Sequence, residues 1–211
     1  MIPENFGQAI PARCAELMDE LEGTVSEERQ VTLLLSLASP LFIMPHQILC
    51  GSRRLVLGDV AELSQQAKTD LRQPLHEACG CRRSPNEPFW WWLTELPSKP
   101  RHPDNFRQGK PELMTEESQD RARQMAGWFW LGHLRNALSH AGVVYLDESG
   151  SHQVEREVRM LAFVSEADHP GSGRYLVSQI EVDEFRAFVR TWAAWLRRRC
   201  CPRVYGGQLA A

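Results

Sequence analysis

Seven apolar residues crowd into the eleven positions from 33 to 43: Leu33, Leu34, Leu35, Leu37, Leu41, Phe42 and Ile43. A helix with that distribution is apolar on too many sides to lie on a surface, so other elements must surround it. That requirement points to a helical bundle. Ser26, followed by Glu27 and Glu28, supplies a capping hydroxyl and then acids where the helix dipole favours them. Pro40 and Pro45 are expected to kink or end the helix. Upstream, Ala15, Leu17, Met18 and Leu21 mark a short amphipathic helix ending near Gly23. A weaker helical pattern follows over residues 59 to 78, carried by Val60, Leu63, Ala67, Leu71 and Leu75.

From Cys79 to Pro111 the texture changes to Pro, clustered Arg and a Trp90-Trp91-Trp92 run, which reads as an irregular insertion at about 79–111. Glu116 to Ala141 is the second strong helix. Val143–Leu146, Val158–Val164 and Arg174–Ile180 then read as strands, the last two joined through the turn signal His169-Pro170-Gly171-Ser172-Gly173. Asp183 caps a closing helix with Phe185, Phe188, Val189, Trp192 and Leu196 at spacings of three and four. The predicted architecture is a single, mainly α domain over 1–211. It is a helical bundle with a small antiparallel β-hairpin, at about 143–180, inserted before the C-terminal helix.

Composition narrows the function classes. A net charge of −3 argues against coating nucleic acid by charge alone, although a local basic site is compatible with it. Three Lys stand against 21 Arg, an imbalance that GC-rich coding explains before any site does. No stretch reaches the apolar run of about 20 residues that a membrane span needs. The best candidate, Val31 to Leu49, is interrupted by Thr32, Ser36, Ser39, Pro40, Pro45, His46 and Gln47. Met1 to Gln8 lacks the basic start and apolar run of a secretory signal. Among the six Cys, the pairs Cys79/Cys81 and Cys200/Cys201 are too close in sequence for easy internal bridging. A reducing cytoplasm is the expected compartment.

The chemistry concentrates in Trp128-Phe-Trp-Leu-Gly-His-Leu-Arg-Asn-Ala-Leu-Ser-His-Ala-Gly142. On a helical wheel at about 100° per residue, Trp130, Leu131, Leu134, Ala137, Leu138 and Ala141 share an arc of about 120°, a core-facing stripe. Gly132, His133, Arg135, Asn136, Ser139 and His140 fall on the opposite arc. An exposed arc would ordinarily carry Glu, Lys and Gln. This one carries a cation, an amide, a hydroxyl and two imidazoles. Imidazole takes and returns protons near neutrality, and guanidinium holds a phosphate bidentately and stabilises charge developing on it. Gly142 is placed to end the helix, with His140 in its last turn.

Arg135-Asn136-x-x-x-His140, at the end of an amphipathic helix and followed by Ala-Gly and a strand, resembles the signature of the HEPN superfamily (higher eukaryotes and prokaryotes nucleotide-binding). The surroundings resemble a bacterial or plasmid-borne HEPN-like group. The likeness implies a helical bundle, a homodimer that brings two motifs together, and metal-independent RNA cleavage by 2′-hydroxyl attack, in defence or in a toxin–antitoxin or stress response. In that scheme Arg135 holds the scissile phosphate, His140 assists the attack or the leaving group, and Asn136 orients them. The implied products carry a 2′,3′-cyclic phosphate and a 5′-hydroxyl. RNA is then the substrate, and a cognate antitoxin or other protein the further partner. One departure stands out. The toxin branch silenced by adenylylation carries a Tyr two residues after the His, where this chain has Gly142, and Tyr145 lies three residues further on.

His133, Ser139 and Phe129 are assigned to RNA contact or to support of the motif, His133 as a supporting or interface group rather than a catalyst. Trp128, Phe129 and the Trp run could stack bases, but core or dimer packing is the commoner use of aromatics. The pattern His76-x-x-Cys79-x-Cys81 with Cys200-Cys201 is tighter than usual zinc-ligand spacing, so neither a metal nor a cofactor is assigned. From Arg186 onward there are six Arg and no acid, which fits a solvated helix face as well as a phosphate-contacting patch. The competing reading is a HEPN-fold module that binds RNA, a nucleotide or a protein without catalysis.

Overall fold

The computed structural model describes residues 6–21, 23–49, 61–79, 82–84, 87–88, 91–96, 113–152, 157–167 and 173–202. Seven helices are described: α1 (Phe6–Leu21), α2 (Glu27–Leu49), α3 (Gln65–Asp70), α4 (Leu75–Cys79), α5 (Glu116–Gln124), α6 (Gly127–Ser139) and α7 (Val182–Arg199). The strands are β1 (Ala61–Leu63), β2 (Arg82–Ser84), β3 (Glu87–Pro88), β4 (Trp92–Leu96), β5 (Val143–Leu146), β6 (Met160–Glu166), β7 (Tyr175–Glu181) and β8 (Cys200–Pro202). Helix α1 packs on α7, α2 packs on α6 and α7, and α6 lies against β6.

The leucine-rich segment is central, as its pattern demanded. Leu34, Leu35, Ala38, Leu41 and Phe42 of α2 are buried. The Phe42 ring lies 5.9 Å from Phe188 and 6.0 Å from Trp192, both on α7. Neither proline ends α2, which runs through both to Leu49. A proline at position 45 has no N–H to give, which leaves the Leu41 carbonyl without its helical donor. Trp192 supplies one, its indole Nε1–H donating to that carbonyl at 2.8 Å. The carbonyl orphaned by Pro40 belongs to Ser36, which is exposed and open to water.

The expected helix from Glu116 to Ala141 is two helices. Thr115 opens α5 with a reciprocal capping box to Ser118. The chain then extends at Met125 and Ala126, where ψ is 127° and 144°. The reason is tertiary. The Gly127 N–H donates to the Gln73 carbonyl at 2.8 Å, and the Trp128 N–H donates to the Leu71 carbonyl at 2.9 Å. These are N-terminal donors for which a helix has no internal acceptor. A Cβ at Gly127 would stand 2.9 Å from Leu71 Cδ2, so a side chain there would have to displace the tip of that leucine.

The β region is larger than a hairpin. It is a four-stranded antiparallel sheet in the order β4-β7-β6-β5. The three strands read from the sequence are present within two residues of their expected limits. The strand not anticipated is β4, inside the segment read as irregular, which pairs Trp92–Leu96 with β7. Next to it, Trp91 is buried, with ring centroids 4.6 Å from Trp130 and 5.4 Å from Phe188. Residues 97–112 and the turn at 168–172 lie outside the described residues. Leu161, Phe163 and Ile180 face the helices, while Met160, Ala162 and Val177 pack with Leu113 and Val144 on the other side. Both faces are covered, which explains the unbroken apolar run of β6.

Part of the weak helical pattern over 59–78 is also strand. β1 pairs with β8, placing Leu63 opposite Cys200. Cys14 carries a buried thiol, whereas Cys79 is disulfide-bonded, a bridge the spacing did not suggest. Among the described residues no helix is long and apolar enough to cross a membrane.

Candidate functional site

Helix α6 has two working sides. One carries Trp130, Leu131, Leu134 and Ala137 into the core, all buried. His133 goes with them. The wheel placed it on the polar arc, but the sheet closes over that edge and leaves the residue 3% exposed. Its Nδ1 lies 2.7 Å from Ser165 Oγ on β6 and its Nε2 lies 2.8 Å from Ser178 Oγ on β7. Ser165 Oγ also lies 3.4 Å from the Glu166 carbonyl, which can take only the serine's own proton. The arrangement therefore closes with Nδ1–H donating to Ser165 and the Ser178 hydroxyl donating to Nε2. Burial pushes the His133 pKa down to about 3, because a cation here would be dry and one hydroxyl would have to turn away. His133 ties α6 to two strands and cannot reach RNA in this fold.

The end of α6 is fixed by a Schellman turn. His140 is the C-cap, Ala141 takes the left-handed conformation at φ 54°, and the Gly142 N–H donates to the Ala137 carbonyl at 2.8 Å. The residue that turns the chain is thus Ala141, not the expected Gly142. Glycine is needed at 142 for another reason: a Cβ there would run into the Val164 carbonyl. The Val164 N–H donates to the Gly142 carbonyl at 2.7 Å, so the motif helix is stitched directly to β6. His140 and Ser139 are exposed at this end, and Asn136 is half-buried.

Arg135 is half-buried, and its environment is unusual for a guanidinium. Nη1 donates to Asn136 Oδ1 at 2.8 Å, while Nε is buried without a partner. Among the described residues no carboxylate pairs with it. Three arginines of α7 do have acid partners. Arg190 pairs with Asp19 at 2.9 Å, Arg186 with Asp183 at 2.8 Å and Arg199 with Asp70 at 3.0 Å. Three described arginines of the C-terminal basic cluster are therefore engaged in ion pairs, whereas Arg135 combines partial burial on the polar face of α6 with the lack of an acid among the described residues.

One residue near the motif was not anticipated. His46, in the last turn of α2, lies over Gly132, where a Cβ would stand 3.6 Å from its Nε2. Burial, and then the charge of Arg135, push its pKa below the ordinary histidine value. Sequence reasoning missed it because it filed His46 only as an interruption of an apolar run. Phe129 packs half-buried against the core, its ring 5.7 Å from that of Trp128, which is 56% exposed. Tyr145 stands exposed on β5. No group of three or more His, Cys, Asp and Glu that could hold a metal occurs among the described residues, and Cys81 lies outside them.

The family model described as HEPN pEK499 p136 matches residues 1–202. The chain belongs to that family, a plasmid-borne branch of the HEPN superfamily. No curated protein and no solved structure matches it.

Proposed function

We propose that the protein is a metal-independent endoribonuclease that cleaves RNA by attack of the 2′-hydroxyl on the adjacent phosphodiester. Its setting would be defence or a toxin–antitoxin or stress response. The observation that carries this reading is Arg135, a half-buried guanidinium with an unpartnered Nε and no carboxylate among the described residues. Leaving such donors unsatisfied is costly, and an anion repays that cost. A phosphodiester suits the fork better than a point-like anion does. Asn136, held by Arg135 Nη1, keeps the guanidinium oriented. His140, exposed beside them, is the proton-transfer group of the motif. The exposed Trp128 and the half-buried Phe129 border this face and would contribute to a symmetric homodimer that sets two motifs opposite each other.

Imidazole supplies the proton transfer and guanidinium the charge stabilisation, so the expected cleavage survives EDTA. It requires a 2′-hydroxyl at the scissile nucleotide and spares DNA. His140→Ala and Arg135→Lys should each lower kcat by about 100-fold or more while thermal stability holds. Cleavage that persists in both variants would end this reading.

The second reading, a HEPN-fold module without catalysis, has one observation of its own. No described side chain orients the His140 imidazole, whereas working histidines are usually held by a partner group. Dimers that bind RNA or a cognate protein and cleave nothing would establish it.

A further inference from the structure

Gly132, Arg135 and Asn136 stand at i, i+3 and i+4 of α6 and so share one face. The His46 imidazole is laid over this face from α2, with Nε2 and Cδ2 3.6 Å and 3.8 Å from where a Gly132 Cβ would stand. A side chain longer than a methyl at 132 would take the imidazole's place. Basic groups from two helices thus stand on the same side of α6, close enough for the charge of Arg135 to act on His46, and Arg135 has no carboxylate partner among the described residues. Along the helix, the level of Gly132 lies about 12 Å from that of His140, with Arg135 between them. Along the helix axis, the level of Arg135 thus falls between that of an imidazole supplied by α2 and that of His140 at the end of α6.

We propose that His46 is a further catalytic residue of this site, the acceptor of the 2′-hydroxyl proton from an RNA phosphodiester held by Arg135. The proposal rests on the ribonuclease reading and adds to it a base from outside the motif. As the proton passes to the His46 imidazole, the 2′-oxygen bonds to phosphorus. The bond from phosphorus to the 5′-oxygen breaks, and that oxygen takes a proton from the His140 imidazolium. One proton is gained by His46 and one is lost by His140, leaving a 2′,3′-cyclic phosphate and a 5′-hydroxyl. A neutral imidazole is what the accepting side needs. The surroundings of His46 favour that form, since burial and the neighbouring guanidinium both disfavour its cation.

The experiment is single-turnover cleavage of a labelled RNA by the full chain, wild type against His46→Ala, His46→Gln and His140→Ala, with thermal melts of each. His46→Ala and His46→Gln should each slow cleavage by about 100-fold or more with melts close to wild type. Added imidazole should restore part of the rate to His46→Ala, which a purely packing role would not allow. If His46→Ala does not fold, His46→Gln carries the test alone. The second measurement is NMR of the histidine Cε1–H signals during titration with 3′-AMP. The His46 signal should shift in wild type and stay fixed in Arg135→Ala. Full-rate cleavage by folded His46→Gln, beside a dead His140→Ala, would overturn the assignment of His46 and leave the ribonuclease reading standing. Wild type that cleaves no RNA would overturn both. A His46 signal indifferent to 3′-AMP while the His140 signal moves would also overturn it.

Discussion

His133 and Arg135 stand two residues apart on α6 and live in opposite surroundings. Each ring nitrogen of His133 has a serine hydroxyl within 2.8 Å, deep between helix and sheet. Arg135 has a neighbouring amide on one nitrogen and nothing on another. The sheet-facing side of the helix has spent its hydrogen-bonding capacity on the fold, while the side facing α2 has kept some in reserve. Arginines on α7 differ from Arg135 in one respect, because three of them are paired with aspartates. A polar group whose bonds are all satisfied internally is structural, whereas an unmet buried donor such as Arg135 Nε calls for a physical account.

Breaking the comparison at its structural side should have the largest effect. His133→Ala removes both serine bonds, strands two buried hydroxyls and leaves a void. A loss of about 3–4 kcal/mol in urea unfolding is expected. Arg135→Lys should change the same measurement by less than about 1 kcal/mol. Equal losses in the two variants would erase the distinction between the two sides.

Acid sharpens the same contrast. The folded pKa of His133, about 3, lies below its unfolded value of 6.5. Its contribution is complete above 6.5 and declines as pH falls toward 3, because the unfolded chain binds the proton more readily. Wild type should lose roughly 1.5–2 kcal/mol more than His133→Gln between pH 6.5 and pH 5. Parallel stability curves for the two proteins across that window would mean that His133 is not buried as described.

The smallest effect tests the principle away from α6. Trp192 satisfies the Leu41 carbonyl that Pro45 leaves without a donor. Trp192→Phe keeps most of the apolar packing and drops the indole N–H, so about 1–2 kcal/mol should be lost. Restoring an N–H at position 45 with Pro45→Ala should recover much of that in the double variant. A purely additive double-mutant cycle would show that the two residues are uncoupled.

Much of the frame was legible because it rests on periodicity. The central leucine-rich helix, the closing helix from Val182 and the strands around β5, β6 and β7 all follow from the spacing and runs of apolar residues, a local property of the chain. The polar composition of the motif helix was equally plain, with Arg135, Asn136, Ser139 and His140 found on its outer side. Strand β4 was hidden because Pro and Arg around it masked a five-residue pattern, and because its pairing with β7 spans more than 80 positions of sequence.

What only the tertiary structure decided has one physical cause: contacts between segments far apart in sequence. The break before α6 exists because the loop after α3 accepts the first N–H groups of that helix. Pro45 is tolerated because an indole from α7 reaches the carbonyl it orphans. His133 is a strut because two strands arrive to cover it, and Gly142 is glycine because β6 passes too close for a side chain. His46 joins the motif because α2 lays its last turn across Gly132. The sequence by itself determined which chemical groups α6 offers. Tertiary contacts decided which of those groups are consumed in holding the fold and which are left with bonds to make.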